Sequence, residues 1–162
     1  MNSNTQIFVL GMVQDGGYPH TGCSKACCQK AWNDTNLRKN IASLAIIDHK
    51  TKRYWIIDIT PDFKLQYQMI NEYLKKEYYF AGIFLTHSHV GHYSGLLELG
   101  LEILNTSNIP VYVMPELLKF LKNNASINFL FQSQNIISIE IKEKERINLS
   151  DDLVISSFLV PH

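Results

Sequence analysis

The chain has 162 residues, 46% hydrophobic and 19% charged, which is enough apolar material for one soluble globular domain with its own core. Lys plus Arg equals Asp plus Glu at 15 each, so no global field favours nucleic acid or a membrane surface as partner, and a small molecule is the expected one. Residues 1–6 are polar and lack the basic start and apolar run of a secretory leader, and no apolar stretch reaches the roughly 18 residues that span a bilayer, so a cytoplasmic protein is expected.

Residues 6–10 read as a short apolar strand ended by Gly11, followed by a Gly- and Pro-rich loop over 14–23. Residues 26–32 suit one short helix. Two β-branched, apolar runs, 42–48 and 53–59, flank His49-Lys50-Thr51-Lys52 in a hairpin pattern. Thr60-Pro61-Asp62 is a helix start, with a hydroxyl N-cap, Pro at the first position and an acid in the first turn. Phe63, Tyr67, Ile70 and Leu74 then give one apolar helical face running to Lys76. Residues 82–85 predict a buried strand, 93–104 a helix from the spacing of Leu96, Leu97, Leu101 and Leu104, 111–114 a strand and 115–121 a helix. From 136 to 160 the pattern returns to alternation, with a final strand over 154–160. Strands alternating with helices, with hairpins at both ends, imply an α/β architecture in which a mixed sheet is packed by helices. Such folds place their chemistry where strand ends meet helix starts.

The segment Thr86-His87-Ser88-His89-Val90-Gly91-His92 stands at such a place. Residues two apart on an extended backbone point to the same side, so His87 and His89 converge, and His92 approaches from the turn into the next helix. A lone histidine is usually an ordinary hydrogen-bonding residue. Three within six residues after a buried strand predict a divalent metal, bound by neutral imidazole at about 2.0–2.1 Å.

This segment resembles the metal motif of the metallo-β-lactamase superfamily, His-x-His-x-Asp-His. Further stretches look like the branch of that superfamily containing pyrroloquinoline quinone biosynthesis protein B: Val9-Leu10-Gly11, Gln14-Asp15-Gly16-Gly17-Tyr18-Pro19, the cysteine group, residues 57–63 and His92-Tyr93-Ser94-Gly95-Leu96. The resemblance implies an αββα sandwich with its metals at one edge, in a single domain over 1–162 that is incomplete at its C-terminal side. His87 and His89 match two ligands of the first site. His162, after an apolar run ending in Pro161, stands where the third belongs, and His92 matches a ligand of the second. The pattern's acid is replaced by Gly91, and the later Asp and His of complete family sites are not in this sequence.

By the same resemblance a metal-dependent hydrolase of an ester or phosphodiester is expected, the ion bringing the pKa of its water toward about 7 and polarising the attacked group. Asp58, at a strand end, matches a supporting acid that holds a ligand histidine or braces the loop; its alternative is a plain turn residue. Asp15, in a glycine-flanked loop, is a further candidate for lining the catalytic site. A non-catalytic accessory protein of cofactor biosynthesis that keeps the fold is the alternative function, favoured by Gly91.

Cys23, Cys27 and Cys28 offer three soft ligands within six residues. An odd, tight group is a poor disulfide framework, and structural zinc is the expectation, with His20 as fourth ligand or His49 across the hairpin. The resembling branch includes proteins with a structural zinc in this region. A redox role is disfavoured, because a disulfide between the adjacent Cys27 and Cys28 is strained.

Overall fold

The computed structural model describes residues 4–160; His162 lies outside them. Among the described residues the order is β1 (Thr5–Gly11), α1 (Ala26–Asn33), β2 (Ser43–Asp48), β3 (Arg53–Ile57), α2 (Phe63–Tyr73), β4 (Tyr79–Phe84), α3 (Val90–Tyr93), β5 (Ile109–Val113), α4 (Pro115–Asn123), α5 (Ala125–Gln132), β6 (Ile136–Glu140), β7 (Arg146–Ser150) and β8 (Leu153–Ser156). β1 to β6 form one six-stranded sheet in sequence order. Its first two pairings are antiparallel and its last three are parallel, each parallel step crossing over through helical chain. β7 and β8 form a separate antiparallel pair.

Side chains alternate across the sheet, and both faces are apolar. Ala45, Ile47, Ile56, Ile83 and Val111 turn to one side and meet Phe63 and Ile70 of α2, Leu118 and Leu121 of α4, and Leu96. Ile46, Trp55 and Phe84 turn to the other and pack on Leu149 and Leu153 of the β7–β8 pair. The layers are therefore helices, main sheet and second sheet. The small second sheet covers only the middle of its face, since Ile7 and Val9 on β1 remain 55% and 52% exposed. No helix among the described residues is long and apolar enough to cross a membrane.

Local expectations fail where tertiary contacts intervene. The helix expected from Thr60 begins at Phe63, because Thr60 Oγ1 accepts the Asp62 N–H and donates to Gln66 Oε1. Gln66 Nε2 in turn donates to the Ile41 carbonyl, and the Ile41 N–H donates to the Asp62 carboxylate. Residues 60–62 thus form a knot that ties the chain before β2 to α2. The helix expected over 93–104 is a single turn, α3, followed by a 3-10 segment at Ser94–Leu99. Leu96 and Leu99 are buried, whereas Leu97, Leu101 and Leu104 are exposed. The cause is Gly95, whose N–H donates to the Ile59 carbonyl and holds this chain against the end of β3. Two further differences are the end of the last strand at Ser156 rather than 160, and the unanticipated α5, capped by Asn124 accepting the Ile127 N–H.

Gly95 leads to the first prediction. A Cβ there would lie 2.3 Å from the Thr60 carbonyl oxygen and 3.0 Å from the Ile59 carbonyl carbon, both backbone atoms that have little room to give. Gly95→Ala is expected to destabilise the fold by about 1–3 kcal/mol, read as a lower urea midpoint at unchanged slope.

Candidate metal centre

Parallel pairing sets the C-terminal ends of β3 and β4 side by side, with Ile57 opposite Phe84. The residues that follow each strand are therefore neighbours: Asp58 after β3, and residues 86–92 after β4. Asp58 adopts a left-handed backbone (φ 61°), a conformation aspartate tolerates better than most residues. Its N–H donates to the Phe84 carbonyl, and its carbonyl accepts the Ser43 hydroxyl. The side chain is buried and faces the histidine segment.

That carboxylate accepts three hydrogen bonds. Oδ1 takes the Thr86 N–H at 2.8 Å; Oδ2 takes the Thr86 hydroxyl at 2.7 Å and His92 Nδ1 at 2.8 Å. Thr86 Oγ1 also lies 2.8 Å from His87 Nδ1. A hydroxyl has one proton to give, and an ionised carboxylate can only accept. The Thr86 proton therefore goes to Asp58, and Thr86 Oγ1 accepts from His87 Nδ1–H. His92 Nδ1–H donates to the same acid. One carboxylate thus sets the tautomer of two imidazoles, with the proton on Nδ1 in each.

The rings are adjacent. The His87 centroid lies 4.6 Å from that of His89 and 4.2 Å from that of His92. One ligand-capable atom from each of Asp58, His87 and His92 lies within 4.8 Å of the others. Because the Asp58 oxygens are engaged by Thr86 and His92, we assign it the bracing position behind the rings. A divalent ion fits the donor set: neutral imidazoles of fixed tautomer, with a carboxylate on the far side of one ring.

Asp15 arrives from the loop after β1. Its Oδ2 accepts the Gly91 N–H at 3.3 Å, and its Oδ1 lies 3.3 Å from His92 Nε2. Partial burial works against ionisation of this carboxyl, but the Gly91 N–H and the neighbouring His92 outweigh it and hold its pKa below the ordinary value. Beside Asp15 runs an open groove of about 420 Å³, lined also by Tyr18, Trp32, Arg38, Lys39 and Asp62. Arg38 and Lys39 had no role in the sequence reading; they are ordinary surface residues until the fold brings them to this groove.

A second group of donors lies at the start of α1. One sulfur from each of Cys23, Cys27 and Cys28 falls within 4.8 Å of the others, and all three thiols are free. The Lys25 N–H, followed by the Cys28 thiol, lowers the pKa of Cys23. At Cys28 the His20 N–H pulls the pKa down, but burial and the two neighbouring sulfurs push it up overall. The imidazole of His20, expected as fourth ligand, is outside this group: the residue reaches Cys28 through its backbone, its ring lies over Gly16, and Nδ1 is 2.9 Å from the Thr21 carbonyl. His49 also lies outside this group, its two nitrogens bonded to the Tyr78 hydroxyl and Gln6 Oε1.

No family model matches the sequence. Coenzyme PQQ synthesis protein B from Rhodopseudomonas palustris (strain BisB5) is 29% identical over 133 residues, covering 77% of this chain and 41% of that protein. The structure of Zn²⁺-bound PqqB from Methylobacterium extorquens superposes with a TM-score of 0.79 at 20% identity, over 96% of this chain and 56% of that one. The fold is a metallo-β-lactamase fold. Its sequence resembles PqqB. A diphosphatase of the PhnP family follows at TM-score 0.67 and 24% identity, over 90% of this chain and 53% of that one. FEZ-1 metallo-β-lactamase from Legionella gormanii gives 0.52 at 15%, over 76% and 48%. The chain spans about two-fifths of the length of the curated relatives it matches.

If Asp58 sets both ring tautomers, its loss must be felt at the rings. Asp58→Asn is expected to weaken Zn²⁺ binding about 10–100-fold, and Thr86→Val, which removes the hydroxyl between Asp58 and His87 but leaves the Asp58–His92 bond, by less. Isothermal titration of variants with native circular dichroism checks the ranking; equal affinity for Asp58→Asn and wild type would contradict it.

Proposed function

We propose that this chain carries the metal-binding part of a metal-dependent hydrolase, with His87, His89 and His92 as ligands and His162 as the third histidine of the first site. The observation that carries the reading is the hydrogen-bonded chain from His87 through Thr86 to Asp58 and back to His92, which fixes two neighbouring rings with centroids 4.2 Å apart. Zinc suits the donor set, and the similar PqqB structure is Zn²⁺-bound. When bound, such an ion supplies an acidified water and polarises a carbonyl or phosphoryl oxygen.

The chain's own residues do the rest. Asp58 and Thr86 hold the rings in one tautomer. Arg38 and Lys39 face Asp15 and Asp62 across one groove, a mixed-charge lining that suits a small polar substrate. Cys23, Cys27 and Cys28 hold a structural zinc whose fourth ligand comes from outside the described sulfur group. Free thiols suit a reducing compartment, and we place the protein in the cytoplasm.

A second reading is a PQQ-biosynthesis accessory protein without hydrolytic turnover, supported by the likeness to coenzyme PQQ synthesis protein B and by Gly91 in place of an acid. Metal analysis together with turnover of bis(p-nitrophenyl) phosphate separates the two. The hydrolase reading expects bound divalent metal and phosphodiester cleavage, both lost in His89→Ala. Metal retained without cleavage favours the accessory role. Protein that takes up no metal, with or without His89, rules out the metal centre.

A further inference from the structure

His92 stands between two carboxylates. Nδ1 is 2.8 Å from Asp58 Oδ2, and Nε2 is 3.3 Å from Asp15 Oδ1. A neutral imidazole has one ring proton, and it is committed to Asp58. With Nδ1–H given to Asp58, Nε2 faces a carboxylate oxygen directly, an approach stabilised by positive charge, either a proton on Nε2 or a cation shared by the two atoms. Two ligand atoms each about 2.0–2.1 Å from one tetrahedral ion are themselves roughly 3.3–3.4 Å apart. The 3.3 Å separation matches that spacing, so one ion can take both atoms without either residue moving.

Gly91 is the second, independent observation. A Cβ at this position would lie 2.5 Å from Asp15 Cγ and 2.9 Å from both Asp15 Cβ and Oδ1. The volume that any side chain at 91 would enter is occupied by the Asp15 carboxylate. The Gly91 N–H, left accessible by the missing side chain, donates to Asp15 Oδ2 and orients it.

We infer that Asp15 is a direct metal ligand, supplying with His92 the carboxylate for a divalent cation that position 91 cannot supply, and that Gly91 is the residue that admits it. The inference rests on the metal-centre reading above and extends it by naming the acid. Asp15 comes from the loop after β1, so binding of the ion would also tie that loop and its groove to the end of β4.

Co²⁺ titration of the full chain, followed by visible absorption and by calorimetry, tests it. Asp15→Asn keeps an oxygen for the Gly91 N–H but removes the charge, and it is expected to weaken Co²⁺ binding about 10–100-fold and alter the absorption spectrum, with circular dichroism unchanged. Gly91→Ala should give the same phenotype, because its methyl group displaces the carboxylate rather than removing it. The double variant Asp15→Ala/Gly91→Asp returns an acid to the same volume from the other strand end and should recover most of the lost affinity. Wild-type affinity in Asp15→Asn, with His89→Ala clearly impaired, would overturn the Asp15 assignment and leave the metal centre standing. Wild-type affinity in both would overturn the two together.

Discussion

Asp58 is the point at which backbone and site meet. Its amide and carbonyl belong to the end of the main sheet, bonded to Phe84 and Ser43, while its carboxylate belongs to the histidines through Thr86 and His92. Any shift of β3 against β4 would move the acid relative to the rings by the same amount. Burial raises the consequence of such a shift, because a buried carboxylate that loses its donors costs more than one in water. The arrangement of the rings is therefore only as accurate as the pairing of Ile57 with Phe84.

Several features outside the site serve that pairing. Ile59 N–H donates to the His92 carbonyl, and Gly95 N–H donates to the Ile59 carbonyl, so the chain after the histidines is fastened to the chain after Asp58 by main-chain bonds. Ile59, Phe63 and Leu96 are fully buried directly beneath, each contributing about 1.5–3 kcal/mol of apolar burial. The 3-10 geometry of residues 94–99 follows from these attachments. A regular helix would lift Gly95 from Ile59 and carry His92 away from the acid.

The sequence reading located the class of fold and most strands because alternation and β-branching are strong, local signals, and because the hairpin over 42–59 and the apolar core of β4 carry both. It lost residues 93–104 because helical spacing in leucines is the same whether the chain is free to coil or pinned at Gly95. It missed α5 because an eight-residue helix with Phe129 half exposed has little periodicity to display. Within the site, His87, His89 and His92 stand out through clustering alone. Thr86 could be seen as the end of a strand but not as the hydroxyl that joins His87 to a carboxylate, since that link depends on an acid 28 residues away. His20 was drawn toward the cysteines by nearness in sequence, whereas its ring packs on Gly16.

At Gly91 the motif read along one strand end and the arrangement in space give different readings. Taken linearly, glycine at that position is the loss of an acid, and the loss argues against a second cation. In space the acid's volume is filled, by a carboxylate that arrives from 76 residues earlier in the chain. A metal ion responds to where oxygen atoms stand and to how they are held, not to which segment bears them. The two positions are also mutually exclusive, since an acid at 91 and the present position of Asp15 would overlap. Glycine here is then a steric requirement of the position that Asp15 takes.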